Sequence, residues 1–208
     1  ALEAEAAQGR GALLLGAHVG SFEVISACRQ QVNLPERLRL AMLMFPDNAR
    51  RINAMLDAIA KPECRPHIIA LGRPGSMLHL RDWLDAGGMA GLLADRTLPG
   101  TQGRAQRHGE LRIDFLGHPA VFHDSPFRLA AALRRRVFFM AGIYLGGARY
   151  EVHFEPLADF SALPADAAGR EPYIRAAVQA YVARLEALCR ADPYNWFNFH
   201  DFWLEDGT

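Results

Sequence analysis

Over the first two-thirds of the chain, short apolar runs alternate with longer stretches in which apolar residues return every three or four positions. This is the pattern of strands and amphipathic helices laid down in turn. Residues 13–17 form a continuous apolar run that ends in His18 and suits a buried strand. Residues 22–32 then read as a helix, with Ser21 placed to cap it. The unit repeats as a strand at 38–45 closed by Pro46, then a helix at 49–60 capped by Asp47 and carrying Ile52, Met55, Leu56 and Ile59 at helical spacing. It repeats again as a strand at 67–71, a helix at 76–85 and a strand at 89–94.

Residues 98–110 are polar and glycine-rich and read as a long loop, a feature usually tied to function. Beyond it the pattern predicts a strand at 111–116, a helix at 126–135 with proline in its first turn, and strands at 137–145 and 150–157 around the Gly146, Gly147 turn. Residues 170–190 make the longest amphipathic stretch, with Ile174, Val178, Tyr181, Val182, Leu185 and Leu188 on one face. The stretch DPYNWFNFHDFW packs six aromatics into twelve residues. With no internal repeat and no linker, residues 1–208 read as a single layered α/β/α domain around a mostly parallel or mixed sheet.

Composition narrows the function. A chain of 208 residues, half of them hydrophobic, can bury a core without disulfide or metal staples. Its 23 basic and 23 acidic residues cancel, which argues against a nucleic-acid coat. Lys61 is the only lysine and the other 22 basic residues are arginines, whose planar fork grips phosphate and carboxylate. Cys28, Cys64 and Cys189 are far apart and read as thiols of a reducing compartment. No apolar run approaches the roughly 18 residues of a membrane span.

The sharpest motif is HVGSFE, which sets His18 at a strand end and Glu23 in the first turn of the next helix. Open α/β sheets build sites there. A neutral imidazole at that place can take a proton from a hydroxyl, and a carboxylate five residues on can turn back to fix its tautomer. Gly20 would let substrate approach the backbone. In LLADRTLPG, Asp95 and Arg96 end a buried strand at the same sheet edge, where a guanidinium could hold an anionic group. Alternatively the two form an ion pair at the start of the loop. No Gly-x-Ser-x-Gly elbow occurs, and His118, His123 and His200 lack established metal-ligand spacing. No metal and no cofactor are expected.

The sequence resembles the lysophospholipid-acyltransferase-like superfamily, in its bacterial lipid A late acyltransferase (lauroyl and myristoyl) branch. The resemblance rests on GAHVGSFE, LLADRTLPG, IDFLGHPAVFHDSPFRLA, VFFMAGIYLGGARYEVHFEPL and the aromatic NWFNFHDFW, in that order. It implies a glycerol-3-phosphate acyltransferase-like fold and transfer of a fatty acyl group from a thioester, normally acyl carrier protein, to a hydroxyl of a lipid or glycolipid. It makes His18 the general base and Glu23 the acid that orients it, with no acyl-enzyme. Gly20, Ser21, Asp95, Arg96, Phe115, Gly117 and Pro119 then border the substrates. Arg73, Arg104, Arg107 and Arg134 to Arg136 are candidates for a basic mouth, and Phe138 to Met140 for an acyl groove.

The chain also departs from that pattern. Ser125 precedes Pro126 where the branch commonly has glycine, and no proline stands near Phe138 to Met140. These departures point away from a standard lauroyltransferase and resemble variants serving other lipid-linked products, including aryl polyenes. Members usually carry a membrane anchor before the first strand, so the resemblance implies a catalytic core whose anchor is not among these residues. It further implies work at the cytoplasmic face of the bacterial inner membrane. A catalytically inactive lipid-binding or scaffold protein of the same fold is the competing expectation, and a phosphoryl-handling or metal-dependent hydrolase a third.

Overall fold

The computed structural model describes residues 2–21, 39–45, 67–96, 109–147, 149–164, 166–199 and 201–203. Its centre is a six-stranded mixed sheet. The strands are β1 (Leu13–Gly16), β2 (Leu40–Met44), β3 (His67–Ala70), β4 (Met89–Leu93), β7 (Arg136–Tyr144) and β8 (Tyr150–Asp159), in the order β3-β2-β4-β1-β7-β8. Five run parallel, and β8 returns antiparallel to β7 at the edge. Strands β5 (Glu110–Phe115) and β6 (His118–His123) form a separate antiparallel hairpin.

Alternation along the strands sends side chains to two faces. Leu13 and Leu15 of β1 and Phe139 of β7 join one cluster with buried residues of α2 (Ser76–Asp85), α3 (Ser125–Ala132) and α4 (Ala167–Ala191). Leu14, Phe138 and Met140 point the other way and pack with Leu2 and Ala6 of α1 (Leu2–Ala7). The central strands are buried on both faces, which is why they read as unbroken apolar runs. Phe138, Phe139 and Met140 are therefore core, between 0% and 3% exposed, rather than the lining of an open groove.

Asp166 caps α4 by accepting from Gly169 N–H at 2.6 Å. Near the start of the chain, Glu5 of α1 is buried and takes hydrogen bonds from Arg10 and Arg136, tying the helix to the first residue of β7. Burial opposes ionisation of Glu5, but the Arg10 guanidinium, with Arg136, holds its carboxyl below the usual range. Two elements differ from the sequence pattern. Helix α1 is too short to show a helical period, and β6 carries a proline at its second residue, which only an edge strand tolerates. Strand β5 also begins at Glu110, inside the stretch read as loop. The helices expected at 22–32 and 49–60, and most of that loop, lie outside the described residues.

Candidate functional site

Strands β1 and β4 are parallel neighbours, with Gly16 paired to Leu93 at their ends. His18 and Asp95 each follow two residues later and so emerge at the same level. Along the chain, β1 is followed by β2 on the far side of β4, while β4 is followed in this sheet by β7 on the far side of β1. The pair therefore sits at the carboxyl ends of two adjacent parallel strands, the edge where open α/β sheets build their sites.

Asp95 is buried, and its carboxylate accepts the His18 backbone N–H at 3.0 Å. The two carboxylate oxygens also lie 2.8 and 3.1 Å from His18 Nδ1. An ionised carboxylate can only accept, so Nδ1 carries the ring proton and Nε2 keeps its lone pair. The His18 side chain is 28% exposed, so the ring is not sealed from solvent. A histidine held this way is built to take a proton at Nε2 and to return it.

Helix α4 supplies the floor. The Tyr181 hydroxyl, fully buried, donates to the Gly16 carbonyl at 2.8 Å, at the last residue of β1. Burial, reinforced by the Asp95 charge, raises this phenol well above its ordinary range, so it remains a donor. Burial also pushes the Cys189 thiol up to about 12, with Asp95 and Glu186 adding to the effect. Both acids near the Asp95 charge thus remain neutral.

The aromatic C-terminal segment forms the wall. After a single 3-10 turn at Pro193–Asn195, it runs antiparallel to residues 18–20. Phe197 N–H donates to the His18 carbonyl at 2.7 Å, and Gly20 N–H donates to the Asn195 carbonyl at 2.6 Å. The Asn195 side chain grips the end of β7, accepting from Tyr144 N–H at 2.8 Å and donating to the Tyr144 carbonyl at 3.2 Å. Opposite this strap, Gly20 bridges Gly142 of β7, and Ser21 N–H donates to the Gly142 carbonyl. Gly20 has φ +64°, and a Cβ there would lie 1.8 Å from the Gly142 oxygen. Its lack of a side chain is needed by the protein's own backbone, beyond any room it leaves for substrate.

Of the residues singled out from sequence, His18, Gly20, Ser21, Asp95 and Arg96 come together here. Arg96 donates to the Phe197 carbonyl at 3.1 Å and remains exposed, so it belongs to the strap rather than to an ion pair with Asp95. Glu23, Arg104 and Arg107 lie outside the described residues. Phe115 is buried one layer behind, its ring 5.3 Å from Trp196 in an aromatic cluster with Phe122 and Phe202. Gly117 sits in the turn between β5 and β6, and Pro119 pairs with Asp114. Among the described residues no hydrogen bond or ring contact ties either of them to His18.

Arg134, Arg135 and Arg136 precede or begin β7, at the opposite end of the sheet, and bond to Leu163, Asp85, Glu5 and Asp159. That run is not a mouth for this site. Sequence reasoning did not single out Asn195 as a site residue and read Tyr181 only as one apolar position of a helix face. Among the described residues, no group of three or more His, Cys, Asp and Glu side chains is placed to hold a metal ion, and no helix is long and apolar enough to cross a membrane. Searches against models of known protein families and against curated proteins returned no match.

Proposed function

We propose that this chain is an acyltransferase of the lysophospholipid-acyltransferase-like type, moving a fatty acyl group from a thioester carried by acyl carrier protein to a hydroxyl of a lipid or glycolipid. The observation that carries this reading is the His18–Asp95 pair, a tautomer-fixed base at the carboxyl ends of two parallel strands. In the proposed reaction the acceptor hydroxyl gives its proton to His18 Nε2 as its oxygen attacks the thioester carbonyl. A C–O bond forms, the C–S bond breaks as the tetrahedral adduct collapses, and the departing thiolate takes the proton from the imidazolium. Asp95 holds the ring and balances the charge that develops on it. The resemblance gives Glu23 an orienting role, but Glu23 lies outside the described residues.

The distribution of exposed apolar side chains supports a lipid substrate. Phe45 follows β2, Met77 and Leu78 open α2, Tyr144, Leu145 and Tyr150 flank the β7–β8 turn, and Tyr194, Phe197 and Phe199 lie on the strap. These residues follow or flank the strand ends and the strap at the end of the sheet that carries His18, whereas Tyr173 lies in α4. Tyr194 is 96% exposed and Phe199 85%, an arrangement suited to the boundary between headgroups and acyl chains. Arg73, Arg96 and Arg149 are exposed at the same end and could meet lipid or phosphopantetheine phosphate. This reading places the protein against the cytoplasmic face of a bacterial inner membrane.

The test is acyl transfer from acyl carrier protein thioester to lipid extract, followed by mass spectrometry. His18→Ala is expected to lower the rate by a factor of about 100 to 10,000 with folding intact. An unchanged rate in that variant would sink the mechanism. Acyl-lipid binding without turnover in the wild type would favour the inactive lipid-binding alternative.

A further inference from the structure

The strap contacts the site through main chain at the very residue proposed as the base. Four groups fix the short segment from His18 to Gly20: Asp95 on the His18 N–H, Phe197 N–H on the His18 carbonyl, the Asn195 carbonyl on Gly20 N–H, and Gly142 beside Gly20. Two of these come from the strap. Asn195 is only 8% exposed although its side chain is polar, and both ends of its amide are used on Tyr144. One residue thus ties the end of β7 to the backbone that carries His18. Phe197, in contrast, is 42% exposed and serves His18 through its amide.

We infer that the strap is a positioning element for His18, with Asn195 as its anchoring residue: it holds the 18–20 backbone so that the imidazole meets Asp95 through Nδ1 and presents Nε2 outward. This deepens the acyl-transfer reading and rests on it for its consequence in rate, but its structural claim can be read from the ring alone. If the strap lets go, the His18 carbonyl loses its donor and Gly20 its acceptor. The peptide can then rotate, and the ring is no longer confined to one tautomer.

The experiment uses the full chain with ¹⁵N-labelled histidine, reading the ring nitrogens of His18 at a pH where the ring is neutral, with acyl transfer followed in parallel. Phe197→Ala keeps the amide and is expected to preserve the Nδ1–H tautomer. Phe197→Pro removes the donor, and Trp196 at ψ 111° already has the extended backbone that a following proline demands. Phe197→Pro and Asn195→Ala are expected to give a mixture of tautomers and a kcat lower by about 10- to 100-fold with KM nearly unchanged. A strap that only adds stability would lower Tm and leave the ring signals and kcat alone, and that result would overturn the inference. If the wild type transfers no acyl group, the tautomer comparison still decides the question independently of the proposed function. Should the variants fail to fold, hydrogen exchange of the Phe197 and Gly20 amides in the wild type decides instead: protection is expected, and exchange at the rate of open chain would refute the strap.

Discussion

The Asp95 carboxylate accepts both the main-chain N–H and the Nδ1–H of His18, so one buried group sets the chain and the ring of the same residue. An amide in its place offers only one acceptor oxygen, and its NH2 could donate to Nδ1 and leave the proton on Nε2. Asp95→Asn is therefore expected to lower acyl transfer by a factor on the order of 1,000 or more while keeping shape and volume. Glu23→Gln, measured beside it, separates the two carboxylates: equal losses would show that the ring depends on both. Wild-type turnover by Asp95→Asn would remove Asp95 from the mechanism.

Gly20 and Gly147 share φ +64° but differ in surroundings, because a Cβ at Gly147 meets nothing within 4 Å. The matched pair isolates the close approach to Gly142. Gly147→Ala should cost about 1 kcal/mol from left-handed strain alone. For Gly20→Ala we expect about 1–3 kcal/mol beyond that, together with loss of activity, because main chain must move. Equal denaturant midpoints for the two variants would show that the approach to Gly142 carries no cost.

Stability at acid pH has a defined sign. The Glu5 carboxyl is held below its ordinary value of 4.5 by Arg10 and Arg136, so its contribution is present above about pH 4.5 and is lost as pH falls through the lower folded value. Glu155, beside Arg184, and Asp159, where the bonds from Ser161 and Arg136 outweigh burial, shift the same way. Glu5→Gln should lower Tm at pH 7 and give a flatter acid limb, with the two proteins converging as the pH drops below 4. A constant Tm difference across that range would mean that the Glu5 charge is not responsible.

The apolar collar predicts membrane binding by the end that bears His18. Changing Tyr194 and Phe199 together to serine should weaken partition onto phosphatidylglycerol and phosphatidylethanolamine vesicles by roughly tenfold or more. Tyr173, 54% exposed near the start of α4, provides the control, and its serine variant should bind as the wild type does. Equal losses from both sets would point to general surface apolarity rather than an oriented face.

Much of the sheet was legible because its signals are local. The runs that became β1 and β4, the helix α2 and the hairpin of β7 and β8 each announce themselves within a dozen residues. His18 was legible for the same reason, as a polar residue closing an apolar run. The partner of its ring was not. Asp95 stood out from sequence, but its meeting with His18 depends on β4 lying next to β1 in the register that pairs Gly16 with Leu93, and nothing in either segment specifies that pairing. Asn195 was hidden more deeply, since an asparagine among aromatics has no period and its value lies in two main-chain groups of Tyr144. Even the arginine run at 134–136 misled, because charge density does not reveal which end of a strand it occupies.

The bond between the His18 carbonyl and the Phe197 amide also bears on the order in which the molecule can be completed. His18 and its main-chain partner Phe197 lie far apart in the chain. Contacts this distant in sequence close late, after local helices and hairpins have formed. The histidine is thus fully held only once this distant contact has closed. The same dependence makes residues 18–20 a reporter of whether the segment at 195–197 has docked.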